Sequence, residues 1–147
     1  MSTPKKRILV GLTGASGACY GIKTLEILAG LDDVETHLII SSAARRTIDL
    51  ETDRSIEDVQ ELADIVYPIR DIAAGPASGS FPTTGMLIAP CSIRALSAIA
   101  NSHSSDLLTR TADVTLKERR PLVLMVRETP LHLGHLRLRT TNPNTKS

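Results

Sequence analysis

Apolar positions along the chain fall into short unbroken runs separated by stretches with a helical repeat. Residues 7–12 read as a fully buried strand that enters a turn of small residues at 13–17. From Ala18 to Ala29 the apolar positions Ile22, Leu25, Ile27 and Leu28 gather broadly on one side of a helix, and Gly30 stops it. Residues 36–40 form a second strand ending at Ser41-Ser42, followed by a helix over 43–50. Ser55 caps a further helix that carries Glu57 and Asp58 in its first turn and runs to Ala63. Residues 65–69 are a short strand, and 71–84, rich in Gly, Pro and Ser, are a loop. An apolar strand follows at 86–89, which Pro90-Cys91-Ser92 turns into a helix over Ile93–Ala100, and another helix covers 106–118. Residues 121–126 are the last strand, and Thr129-Pro130 offers the threonine cap and first-position proline of a helix entrance.

Strands that are apolar throughout, alternating with helices, predict an α/β fold: a doubly wound, Rossmann-like parallel sheet covered on both faces. Such sheets bind ligands outside the carboxyl ends of their strands. The loops at 13–17, 41–42, 90–92 and 127–129 should therefore converge on one site.

The chain has 147 residues with 17 basic and 16 acidic side chains, so it forms one domain and offers no basic surplus for nucleic acid. Its two cysteines, Cys19 and Cys91, are too few for a disulfide framework and suit a reducing, cytoplasmic setting. Lys5-Lys6-Arg7 precede an apolar run, but Gly11 and Gly14 break it far short of the roughly 7–15 residues of an export signal. No stretch approaches the ~20 apolar residues of a membrane span.

The candidate chemistry lies in the loops. Thr13-Gly14-Ala15-Ser16-Gly17 joins a strand to a helix with small residues, so backbone N–H groups can approach a phosphate, although a tight turn needs the same glycines. It is neither a Walker A loop nor a G-x-G-x-x-G fingerprint. Ser92 stands where it caps a helix at the ligand edge, and Cys91 has no local histidine to activate it and reads as structural. Lys117-Glu118-Arg119-Arg120 reads as a solvated helix end. Arg127-Glu128 directly follows a buried strand, where an arginine can grip phosphate and a glutamate can move protons. His132 and His135 lack a third ligand at suitable spacing, so no metal is expected.

Five segments in order resemble the UbiX flavin prenyltransferase family: Thr13-Gly14-Ala15-Ser16-Gly17-Ala18 with Tyr20-Gly21; Ala77-Ser78-Gly79-Ser80-Phe81; Ala89-Pro90-Cys91-Ser92; Ala112-Asp113-Val114 with Leu116-Lys117-Glu118-Arg119-Arg120; and Arg127-Glu128-Thr129-Pro130-Leu131. The resemblance implies a metal-independent transfer of a dimethylallyl group from dimethylallyl phosphate to reduced FMN, closing a fourth ring across N5 and C6. The product would serve as cofactor for a UbiD-type decarboxylase, in ubiquinone synthesis or aromatic-acid decarboxylation. Carried over by position, Gly14, Ala15, Ser16, Ser41, Ser92, Ile93, Arg94, Ala95 and Arg127 match flavin-binding residues. Ser16 and Glu128 match a proton-handling pair, and Lys117, Arg110 and Arg127 match basic residues near the substrate phosphate. The FMN phosphate is expected near the 13–17 turn and Arg127. Family members assemble as dodecamers with sites between subunits, which makes residues 75–84 an expected interface segment.

Two features depart from that pattern. Ala95 replaces a threonine, removing one hydroxyl from the flavin turn. The family also continues past Leu138 with a helix, a final strand and a terminal helix, whereas here a polar tail, residues 139–147, is expected to lie unstructured after a flavin-binding domain at 1–138. A second reading is therefore an FMN-binding but catalytically impaired truncated homologue. A short-chain dehydrogenase shares the opening turn but requires a Tyr-x-x-x-Lys pair that this chain lacks. A peptide-cysteine decarboxylase flavoprotein would carry a histidine after the first loop, and none stands there.

Overall fold

The computed structural model describes residues 3–141 and the backbone of residues 145–146. Six parallel strands form one sheet: β1 (Lys6–Leu12), β2 (Val34–Ile40), β3 (Ile65–Tyr67), β4 (Gly85–Cys91), β5 (Leu122–Val126) and the two-residue β6 (Thr145–Lys146). Their order is β3-β2-β1-β4-β5-β6, so the chain reverses its direction of winding between β1 and β4, the switch point at which doubly wound sheets open a ligand crevice. The connecting helices are α1 (Ala18–Ala29), α2 (Ser42–Glu51), α3 (Ile56–Glu61), α4 (Ile93–Ala100), α5 (Leu107–Lys117) and α6 (Leu133–Thr140).

Period-two alternation assigns the strand residues to two cores. Val10, Leu12, Leu38 and Ile40 face α1, α2 and α3, which contribute Leu25, Ile48 and Val59. Leu9, Ile39, Met86, Ile88 and Leu124 face α4 and α5, which contribute Leu96, Ile99, Leu107 and Leu108. Burying each such aliphatic side chain stabilises the fold by about 1.5–3 kcal/mol, so the sheet is anchored from both sides.

Where pattern reading and structure differ, local contacts explain the difference. β2 begins at Val34, two residues early, because Val34 pairs with Lys6 and is buried. Pro90 and Cys91 belong to β4 rather than to a turn: pairing with β5 shifts between Ile88 and Cys91, and that irregularity accommodates a proline in a central strand. The segment 71–84 holds one 3-10 turn at Gly75–Ala77. Helix α6 does not start at Thr129-Pro130. It starts at Leu133, because the His132 Nδ1 accepts the Gly134 and His135 N–H groups and supplies the cap. The two histidines are thus used in a stacked capping pair, 3.5 Å between ring centres. Of the tail at 139–147, residues 139 and 140 continue α6 and residues 145 and 146 pair with Leu122 and Val123 of β5. Thr141 caps the end of α6, and residues 142–144 and 147 lie outside the described residues.

Candidate active site

The loops at the carboxyl ends of the strands are stitched together before any ligand is considered. Thr13, buried just beyond β1, donates its hydroxyl to the Pro90 carbonyl and accepts the Ser92 N–H at 2.9 Å. The Ser41 N–H donates to the Leu12 carbonyl at 3.0 Å, and the Arg127 N–H to the Cys91 carbonyl at 3.0 Å. The Thr47 hydroxyl donates to the Gly14 carbonyl at 3.0 Å, and a Cβ at Gly14 would lie 2.4 Å from that of Ala43. Only glycine lets the first loop pack so closely on α2. Serines cap two of the helices that start here: Ser41 Oγ accepts the Ala44 N–H of α2, and Ser92 Oγ accepts the Ala95 N–H of α4, each at 3.1 Å.

Over these loops lies a cleft of about 1310 Å³. Gly14, Ala15, Ser16, Ser41, Ser92, Ile93, Arg94, Ala95, Arg127 and Glu128 all line it. Strands β1, β2, β4 and β5 thus bring together every sequence-derived flavin position and both members of the proton-handling pair. Two candidates are not brought there. Arg110 donates to the Ala77 carbonyl at 3.2 Å and pairs with Asp113, and Lys117 pairs with Glu118 at 2.8 Å, both beside the 75–84 segment and away from this chain's own cleft. Arg120 joins them there, donating to the Gly79 and Phe81 carbonyls at 2.9 Å each.

Glu51, at the end of α2, escaped the sequence reading. Its Oε2 accepts the Gly17 N–H at 2.9 Å and the Ala18 N–H at 3.2 Å, which places a carboxylate on the amino end of α1. Gly17 sits there with φ of 110°, a conformation glycine adopts without strain. Hydrogen bonds from the Ser16 hydroxyl and these two N–H groups, helped by the charge of Arg127, hold the Glu51 carboxyl below the usual glutamate range. A carboxylate 34 residues away in sequence carries no short-range signal; only the missing side-chain cap at Gly17 hinted that something else must serve α1.

Cys91 is wholly buried, and burial pushes its thiol up to about 12, so it stays protonated and takes no nucleophilic part. Among the described residues no group of three or more His, Cys, Asp or Glu side chains could hold a metal ion, and no helix is long and apolar enough to cross a membrane.

Residues 1–136 match the family of proteins described as Flavoprotein. The chain is 62% identical to the flavin prenyltransferase UbiX of Escherichia coli K12 over 135 residues, which are 92% of this chain and 71% of that protein. The chain belongs to the UbiX flavin prenyltransferase family. Among solved structures, AnUbiX (PadA1) in complex with FMN and dimethylallyl pyrophosphate superposes with a TM-score of 0.93 at 49% identity, covering 97% of this chain and 76% of that one. A dodecameric FMN-dependent UbiX-like decarboxylase from Escherichia coli O157:H7 superposes with a TM-score of 0.91 at 45% identity, covering 92% and 73%. The UbiX relatives thus share the five-stranded core β3-β2-β1-β4-β5 and extend beyond the length of this chain.

Proposed function

We propose that this chain is a flavin prenyltransferase that binds reduced FMN in the cleft and joins to it a dimethylallyl group from dimethylallyl phosphate. One observation carries the reading. In a chain 62% identical to a flavin prenyltransferase, the cleft at the switch point gathers Ser16, Arg127 and Glu128 with the serine-capped ends of α2 and α4. The residues fit the flavin: small side chains at 14–16 leave a flat approach, capped helix ends and arginines suit an anion, and the volume admits the tricyclic ring with its ribityl chain.

Reduced FMN supplies the nucleophilic ring positions N5 and C6. The protein's share is binding, charge and protons. Arg127 takes up the charge that develops on the leaving phosphate as its carbon–oxygen bond breaks, an interaction stronger in the transition state than in the ground state. Ser16 and Glu128 accept and pass on the proton released as the second flavin–carbon bond forms. Glu51, hydrogen-bonded by the Ser16 hydroxyl, orients that hydroxyl and offsets the charge of Arg127.

Arg110 and Lys117, which lie away from their own chain's cleft, fit a site shared between subunits of a homo-oligomer such as the dodecameric relative. In that assembly they reach the donor phosphate of a neighbouring copy. We place the enzyme in the cytoplasm, and the product's consumer is a UbiD-type decarboxylase. The flavin assignment is tested by titrating the purified chain with FMN and following flavin fluorescence. Saturable quenching is expected, and FMN fluorescence that stays unchanged at any protein concentration would remove the flavin from the cleft.

A further inference from the structure

The crossover from β3 to β4 has no α-helix. Parallel strands are ordinarily joined by one, yet residues 68–84 cross the α5 side of the sheet with only a 3-10 turn at Gly75–Ala77. Beneath this segment the sheet presents a polar and aromatic cluster in place of aliphatic core. Arg7 shares its strand face with Leu9, and Glu35 and His37 share theirs with Ile39, both members of the core under α4 and α5. His37 is 1% exposed, a polar side chain where the alternation calls for an aliphatic one, and burial of that kind is tolerated only with its hydrogen bonds made.

Phe81 closes the cluster. Its ring lies 4.7 Å from the Arg7 guanidinium and meets the His37 ring edge-on at 5.5 Å. The His37 ring is fixed at both nitrogens, with Nε2 2.7 Å from Glu35 Oε1 and Nδ1 2.8 Å from the Tyr67 hydroxyl, and it stacks on the Tyr67 ring at 5.7 Å. Phe81 also packs on the start of its own segment, where a Cβ at Gly75 would lie 2.8 Å from the ring. From the opposite side the basic residues of α5 and its end grip the backbone: Arg110 donates to the Ala77 carbonyl, and Arg120 to the Gly79 and Phe81 carbonyls. A Cβ at Gly79 would lie 2.8 Å from Lys117 Nζ, so the tip of the segment seats directly on that ammonium. The segment, Arg110 and Lys117 are therefore one packed unit, and the contact of Phe81 with His37 and Arg7 is its attachment to the sheet.

From this arrangement we propose that His37 is a positioning residue for the donor half of the reaction: by fixing Phe81 it sets the 75–81 segment, and through it Arg110 and Lys117, in the geometry that a second copy of this chain requires. The inference rests on the shared-site reading above and adds the group inside the fold that aligns the shared residues. His37 itself touches no substrate.

Two apolar variants make the test. His37→Leu removes both hydrogen bonds while Arg7 still serves Glu35, and Phe81→Leu removes the ring. Hydrogen exchange of peptides covering 75–81, the dissociation constant for FMN and the KM for dimethylallyl phosphate are measured on both, on the double variant and on Lys117→Ala. Each single variant should speed exchange in the segment about tenfold, raise the donor KM about five- to tenfold and leave FMN binding within about twofold, which also shows that the chain is folded. Because both act through one contact, the double variant should be no worse than the more affected single one. If exchange in 75–81 is unchanged in His37→Leu, if the two effects multiply, or if FMN binding weakens by the same factor as the donor KM rises, the assignment is overturned. It is overturned as well if Lys117→Ala raises the donor KM and His37→Leu does not. A donor KM unchanged in Lys117→Ala would instead overturn the shared-site reading, and the role of His37 in donor binding with it.

Discussion

Glu51 reaches back across 34 positions of the chain to Gly17, whose N–H it accepts at 2.9 Å. That contact closes the loop carrying Ser16 against the end of α2 and sets a carboxylate on the start of α1. The account of the site depends on it, because it fixes the loop that carries Ser16 at the edge of the cleft.

Removing the contact has a defined cost. Glu51→Ala leaves two N–H groups at the start of α1 without a protein acceptor, equivalent to deleting a helix cap, and should destabilise the fold by about 1 kcal/mol. Urea unfolding with an unchanged slope and a lowered midpoint is the expected result. An unshifted midpoint would mean that water serves these groups as well as Glu51 does.

Arg127→Ala should raise the KM for the dimethylallyl donor roughly ten- to a hundredfold, the equivalent of one charge-assisted contact of ~1.5–3 kcal/mol. Steady-state kinetics with varied donor and saturating FMN reads this directly. A donor KM within twofold of wild type would take Arg127 away from the donor phosphate.

Glu128→Gln keeps the side chain's shape but cannot accept a proton. It should bind FMN as the wild type does and lose about a hundredfold or more in turnover. Turnover at the wild-type rate would leave the proton transfer without Glu128.

Acid should weaken the fold through Glu35. The imidazole of His37, 1% exposed, lies with Nε2 2.7 Å from Glu35 and Nδ1 2.8 Å from the Tyr67 hydroxyl, while Arg7 donates to Glu35 at 3.2 Å and stacks over Phe81. The hydrogen bond from His37, followed by the charges of His37 and Arg7, holds the Glu35 carboxyl below its usual range. Because the folded value is depressed, the native state binds this proton less readily than the unfolded chain. The stabilisation is complete above the ordinary glutamate value, roughly pH 4.3, and is lost as the pH falls through the lower folded value. Glu35→Gln should therefore narrow the difference in stability between pH 7 and pH 4, measured by denaturant titration at each pH. An undiminished difference would assign the acid sensitivity to the other lowered carboxyls, Asp33, Glu51, Asp58 and Glu118.

Most of the fold was legible because it rests on local signals. Helix α1 runs over Ala18–Ala29 as its apolar spacing and Gly30 indicate, and Ser55 caps α3 as its following acids suggest. The loops at the carboxyl edge meet because parallel sheets force them to. What the sequence hid depends on contacts distant along the chain: the Glu51–Gly17 cap, the Arg7–Glu35–His37–Tyr67 network, and the service of Arg110 and Arg120 to the 75–84 segment. Pro90 misled for a different reason, since a shift in strand pairing, invisible to any periodicity, lets β4 continue through it.

The central claim is the chemistry, and a single turnover assay meets it. The purified chain is incubated anaerobically with reduced FMN and dimethylallyl phosphate, and the flavin is extracted and weighed by mass spectrometry. The account predicts a flavin heavier by one dimethylallyl unit, formed with release of inorganic phosphate. The wild type closes the second bond, whereas Glu128→Gln, lacking the base for that step, accumulates the singly bonded adduct of equal mass, told apart by its absorbance spectrum. Unmodified FMN recovered from a chain that binds both substrates would contradict it.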